Sequence, residues 1–159
     1  MKSPTYGEVT IEQIVDMIEK KVTTEKGTYN LIIGTDSQNF DRTKMVLVIA
    51  LHHVGAGGIF FYEIRNIPKI TNIGQKLLYE TNLSLELAER LIKVLNERVE
   101  SGFDYEKYLS ISIHVDAGQN GPSKAVIPEI AGWIKACGYK VVFKPNSYAA
   151  SSIANKYSK

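Results

Sequence analysis

The sequence has little of what usually staples or anchors a chain. Its single cysteine, Cys137, can close no internal disulfide, and no Cys/His cluster has zinc-site spacing, so neither bridges nor a structural metal are expected. Long apolar runs are missing as well. The longest, Met45 to Leu51, falls far short of the roughly 20 residues that cross a bilayer, and Met1-Lys2-Ser3-Pro4 leads into no apolar leader core. These absences predict a cytoplasmic protein with no membrane partner. A strong charge of one sign is absent too: 19 basic and 17 acidic side chains leave a net charge of +2, too balanced to argue by itself for a polyanionic partner. What remains is an ordinary globular composition, 44% hydrophobic and 23% charged, which excludes disorder, collagen-like repeats and coiled coil. With 159 residues and no linker, internal repeat or low-complexity segment, the chain is predicted to form a single domain over residues 1–159.

Charge is nevertheless unevenly placed. From Gly138 onward there are four lysines (Lys140, Lys144, Lys156 and Lys159) and no acidic residue, interleaved with Tyr139, Phe143, Tyr148 and Tyr157. Such a stretch suits a track for a nucleic-acid strand, although aromatics at this spacing also commonly bury themselves.

Periodicity orders the elements. Thr10 and Gln13 form a capping-box pattern, and Ile11, Ile14, Val15, Ile18 and Val22 recur at helical spacing until Gly27. Three strands follow: Leu31 to Asp36, Lys44 to Val54, and Ile59 to Ile67 after a Gly55–Gly58 hairpin tip. Asn72 can cap a long helix striped with Leu78, Thr81, Leu85, Ala88, Ile92, Leu95 and Val99 and ending near Gly102. Leu109 to Asp116 alternates strictly, with Ser110, Ser112, His114 and Asp116 on one face. Ser123 can cap a further helix that Gly138 ends; Lys140 to Lys144 supplies a fifth strand, and Tyr148 to Tyr157 a last helix. The order predicts an α/β fold with a mixed five-stranded sheet, a three-stranded antiparallel meander followed by two parallel strands, with helices on both faces.

Asp36 and Asp116 each end a strand, and both ends are expected at the same border of the sheet. Two acids side by side repel each other unless a proton or cation lies between them, and Mg²⁺ prefers carboxylate oxygens with retained water. Either aspartate could instead serve a turn or a helix cap. The long helix offers two candidates for a third acid. Glu80 shares a flank with Leu77, Ser84, Leu87 and Leu91, which should face the sheet, whereas Glu86 shares one with Asn82, Glu89, Arg90 and Lys93, which looks solvated. Glu80 ranks first. His114 is read as a satisfied polar residue, and His52 and His53 point to opposite faces and cannot share an ion. The loop from Asp116 to Lys124 carries glycines and a lysine that could hold phosphate, but it lacks the Walker pattern and also reads as an ordinary strand-to-helix turn.

Three segments resemble a known family. Ile33-Gly34-Thr35-Asp36-Ser37-Gln38, His114-Val115-Asp116-Ala117-Gly118 with Asn120-Gly121, and the ending Lys144-Pro145-Asn146-Ser147-Tyr148-Ala149-Ala150-Ser151-Ser152 are similar to the uncharacterised bacterial YkuK-like family, classed as ribonuclease H-like. The resemblance covers nearly the whole chain. It implies the ribonuclease H fold, with Asp36, Asp116 and a helix glutamate as metal ligands. Thr81-Asn82-Leu83-Ser84-Leu85-Glu86-Leu87 resembles the string around the helix glutamate of true ribonucleases H and favours Glu86, against the facing pattern. The final helix of those enzymes often carries an Asp after Ala; here Ala154 precedes Asn155, an amide that can coordinate through its carbonyl but brings no charge.

Together these features lead to the expectation of a Mg²⁺- or Mn²⁺-dependent nuclease acting on RNA or an RNA–DNA hybrid. Asp36, Glu80 and Asp116, with Asn155, would hold metal, and Lys144, Ser147, Tyr148 and Lys156 would face the strand or its phosphates. The alternative is a non-catalytic nucleic-acid-binding module, for which Asn155 speaks; a nucleotide binder using the Asp116–Lys124 loop is a third.

Overall fold

The computed structural model describes residues 1–117 and 121–143. The elements run β1 (Lys2–Ser3), β2 (Gly7–Glu8), α1 (Ile11–Thr24), β3 (Tyr29–Asn39), β4 (Thr43–His53), β5 (Gly58–Ile67), α2 (Ile73–Glu100), β6 (Leu109–Val115), α3 (Ile127–Ala136) and β7 (Lys140–Phe143). Short 3₁₀ turns occupy Tyr105–Lys107 and Lys124–Val126.

Local chemistry sets several of these boundaries. The capping box forms in full: Thr10 Oγ1 accepts from Gln13 N–H at 3.1 Å and Gln13 Oε1 accepts from Thr10 N–H at 2.8 Å. Asn72 caps α2 by accepting from Gln75 N–H at 2.9 Å. Ser123 does not cap the next helix. A 3₁₀ turn intervenes and α3 begins at Ile127 with Pro128 in its first turn, where a missing N–H costs nothing.

The sheet order is β2-β1-β5-β4-β3-β6-β7, seven strands where the sequence suggested five. The two extra strands are two residues long each, too short to leave an alternating pattern, and pair around the turn at residues 4–6, with Gly7 opening β2 at φ 73°. The antiparallel meander β3-β4-β5 and the parallel additions β6 and β7 are present as expected. The helices are not on both faces among the described residues. Buried side chains of α1, α2 and α3 all join one cluster with Leu31, Ile33, Met45, Leu47 and Ile113, whereas Ile32, Val46, Val48 and Ala50 form a separate cluster on the other face. The expected last helix, Tyr148 to Tyr157, lies outside the described residues. No described helix is long and apolar enough to cross a membrane.

Candidate metal centre at the strand ends

The parallel pairing of β3 with β6 runs from Tyr29↔Leu109 to Gly34↔His114. Two residues further along each strand stand Asp36 and Asp116, so the register brings them to the same level at the carboxyl ends of neighbouring strands. Strand alternation puts Thr35 and Ser37 on the face that meets the helices, with Asp36 on the other. Thr35 meets α2 directly: its Oγ1 lies 2.8 Å from Ser84 Oγ in a buried hydrogen bond. Asp36 Oδ1 accepts from the N–H of Ser37 at 2.8 Å.

Glu80 lies one helical turn before Ser84 and is 6% exposed. Burial raises its carboxyl well above the ordinary range, and the negative charge of Asp36 raises it further; Asp116 adds to this, while Lys76 and a hydrogen bond with the Ser37 side chain pull the other way. A buried carboxylate close to two others must keep a proton or meet a cation. Beside it is a narrow cavity of about 10 Å³, lined among others by Thr35, Glu80, Ser84, His114 and Asp116, of a size that matches one water or one ion. Nδ1 of His114 and Oδ1 of Asp116 are shielded from solvent.

Residues 10–159 match the model of the family described as Ribonuclease H-like. The chain belongs to the ribonuclease H-like family. It is also 29% identical, over 96% of its own length and 93% of the relative's, to a Bacillus subtilis (strain 168) protein named Uncharacterized protein YkuK. No solved structure matches it. The chain is thus a YkuK-like member of the ribonuclease H-like family, and its α/β fold with a mixed sheet is consistent with that membership.

The two glutamates of α2 are placed very differently. Glu80 is buried and feels the charge of both aspartates, whereas Glu86 is exposed and its Oε1 accepts from Asn82 Nδ2 at 3.2 Å. Among the described residues no three Asp, Glu, His or Cys side chains close into a ready-made metal cage. The carboxylates fit a hard divalent ion by chemistry, since Mg²⁺ takes one or two carboxylates and keeps much of its water. Asn155, Lys144, Ser147, Tyr148 and Lys156 lie outside the described residues, as does part of the Asp116–Lys124 loop; Lys124 itself is exposed. His53 is buried and His52 only half-buried, on opposite faces of β4. His114, read from the sequence as a satisfied polar residue, lines the cavity with Glu80 and Asp116.

Proposed function

We propose that the chain is a divalent-metal-dependent nuclease acting on RNA or an RNA–DNA hybrid, with Asp36, Glu80 and Asp116 as the residues that would hold Mg²⁺ or Mn²⁺. The observation that carries this reading is Glu80, a buried carboxyl in the field of two strand-end aspartates. Membership of a family that often uses divalent metals and is associated with nucleic acids supports it. Bound there, such an ion would polarise a scissile phosphate and activate water.

The chain's own groups have separate tasks. Asp36 and Asp116 supply negative charge from neighbouring strand ends, two residues beyond the last β3–β6 pair, Gly34↔His114. Ser37 steadies the Glu80 carboxylate by hydrogen bonding, and the Thr35–Ser84 bond ties the helix that carries Glu80 to the strand that carries Asp36. His114 offers an imidazole on the same cavity wall. Asn155 and the lysine-rich C-terminal stretch, with Lys144, Ser147, Tyr148 and Lys156, would meet the strand or complete the ligand set.

The test is cleavage of a labelled RNA–DNA hybrid and of single-stranded RNA with Mg²⁺ or Mn²⁺, with Asp36→Asn and Asp116→Asn as controls. Metal-dependent cleavage lost in both variants is the expected result; cleavage undiminished in both would discard this site. A non-catalytic binding module is favoured by Asn155, which stands where related enzymes often carry an acid, and it would appear as RNA retarded in gels without cleavage at any metal concentration.

A further inference from the structure

A centre of three carboxylates repels the polyanion it would act on, so a strand can cross it only where cations flank the approach. The described residues show such a flank on the side of the β3–β4 hairpin. The hairpin tip presents Phe40, 51% exposed, followed by Asp41 and the exposed Arg42. Lys44, at the start of β4, pairs in register with Gln38, two residues beyond Asp36 and therefore about 7 Å further along β3. Lys69 is exposed in the segment leading from β5 to α2.

These residues sit on a braced platform. Asn39 Nδ2 donates to the Ile70 carbonyl at 2.9 Å, Ile70 N–H donates to Thr43 Oγ1 at 2.9 Å, and Thr43 Oγ1 donates to Asn39 Oδ1 at 2.6 Å. Arg42 Nη2 reaches the Asn66 carbonyl at 3.4 Å. The hairpin tip is thereby tied to the 66–70 segment, which carries Lys69 and continues into α2, the helix of Glu80. None of Arg42, Lys44 and Lys69 takes part in a salt bridge among the described residues. A lone exposed phenylalanine is unremarkable on a surface, but one set on a hydrogen-bonded tip among cations, at the border that carries Asp36, has the two parts of a strand-binding surface: a stacking ring and phosphate partners.

We propose that Phe40, Arg42, Lys44 and Lys69 form a docking track for one strand of nucleic acid, with a base stacked on Phe40 and phosphates on the three cations, feeding the strand toward Asp36 and Glu80. The proposal rests on the nuclease reading and adds residues other than those of the lysine-rich C-terminal sequence. It is tested on the full chain by fluorescence anisotropy with labelled single-stranded RNA and a labelled RNA–DNA hybrid, in EDTA across a salt series. Arg42→Ala/Lys69→Ala is expected to weaken binding about tenfold and to lower the slope of log affinity against log salt by roughly 1.4–1.8, the loss of two phosphate contacts. Phe40→Ala is expected to weaken binding about fivefold to a hundredfold with the slope unchanged. Thermal melts would confirm that each variant folds, and Lys69→Glu alone serves if the double variant does not.

Native affinity and slope in these variants, with cleavage intact, would overturn the track and leave the nuclease reading standing. Binding that the variants lose, in a chain that cuts nothing, would support the track and overturn the nuclease. No binding by the native chain would overturn both. A dimer abolished by Phe40→Ala, with nucleic-acid affinity unaltered, would overturn the track in favour of a contact between two copies.

Discussion

Thr35 and Ser84 share a buried hydrogen bond of 2.8 Å that joins β3 to α2, one residue before Asp36 and one helical turn after Glu80. Strand and helix are thereby locked together at the level of the two carboxylates. Removing one hydroxyl leaves the other buried without its partner, so Thr35→Val or Ser84→Ala should each cost about 1–3 kcal/mol. The double variant should cost less than the sum, and a double-mutant cycle by urea unfolding measures that coupling.

Glu80 gives a pH dependence with a definite sign. Its carboxyl is raised above its unfolded value of about 4.3, so the folded chain binds more protons than the unfolded one between that pH and the raised value. In EDTA, stability should therefore fall as pH rises from about 4.3 through this window and then level off. Glu80→Gln should flatten that part of the profile and raise the melting temperature at neutral pH by a few degrees, the shift that about 1 kcal/mol produces in a chain of this size. The same variant should lose any Mn²⁺-induced rise in melting temperature. Melts at several pH values, with and without Mn²⁺, report both effects.

Glu86 supplies the internal control. It is exposed and accepts a hydrogen bond from Asn82 on its own helix, so Glu86→Gln should shift stability by no more than about 0.5 kcal/mol. Cleavage should be unchanged in Glu86→Gln and fall at least about a hundredfold in Glu80→Gln, as expected when a charge-stabilising interaction of several kcal/mol is lost. Equal losses in the two variants would contradict the assignment of Glu80.

Gly27 is constrained for a different reason. It takes φ 150°, and an added Cβ would run into Nε2 of His53, whose ring stacks on Tyr29 with centroids 4.3 Å apart. His53 Nε2 also lies 3.1 Å from the Lys26 carbonyl. Gly27→Ala should destabilise the chain by about 1–3 kcal/mol, readable as a lower urea midpoint with unchanged slope.

Where side-chain pattern decides structure, the sequence was legible. The Thr10–Gln13 pair marks the start of α1, the strict alternation from Leu109 marks β6, and the apolar flank around Glu80 separates it from the solvated flank around Glu86. Strands of two residues, such as β1 and β2, leave no period to detect. Ser123 has the right chemistry for a cap, yet Pro128 sets the start of α3 instead. Which face a helix covers depends on how connections cross the sheet, and alternation within a strand carries no such information; hence the expectation of helices on both faces was not met among the described residues. The neighbours of His114 at the cavity, and the bonds that tie the Phe40 hairpin to the segment carrying Lys69, come together only when strands are laid side by side, because they belong to distant parts of the chain.

The small N-terminal strand pair has an influence out of proportion to its size. Without β1 docked at Lys2↔Tyr62, all ten residues of β5 would form an outer border of the sheet, a ladder of backbone donors and acceptors able to recruit another chain. The short β1 interrupts that border at Tyr62 and the Glu63–Arg65 ion pair places charge beside it, two devices that blunt a sheet edge, set by a few residues far from the carboxylates.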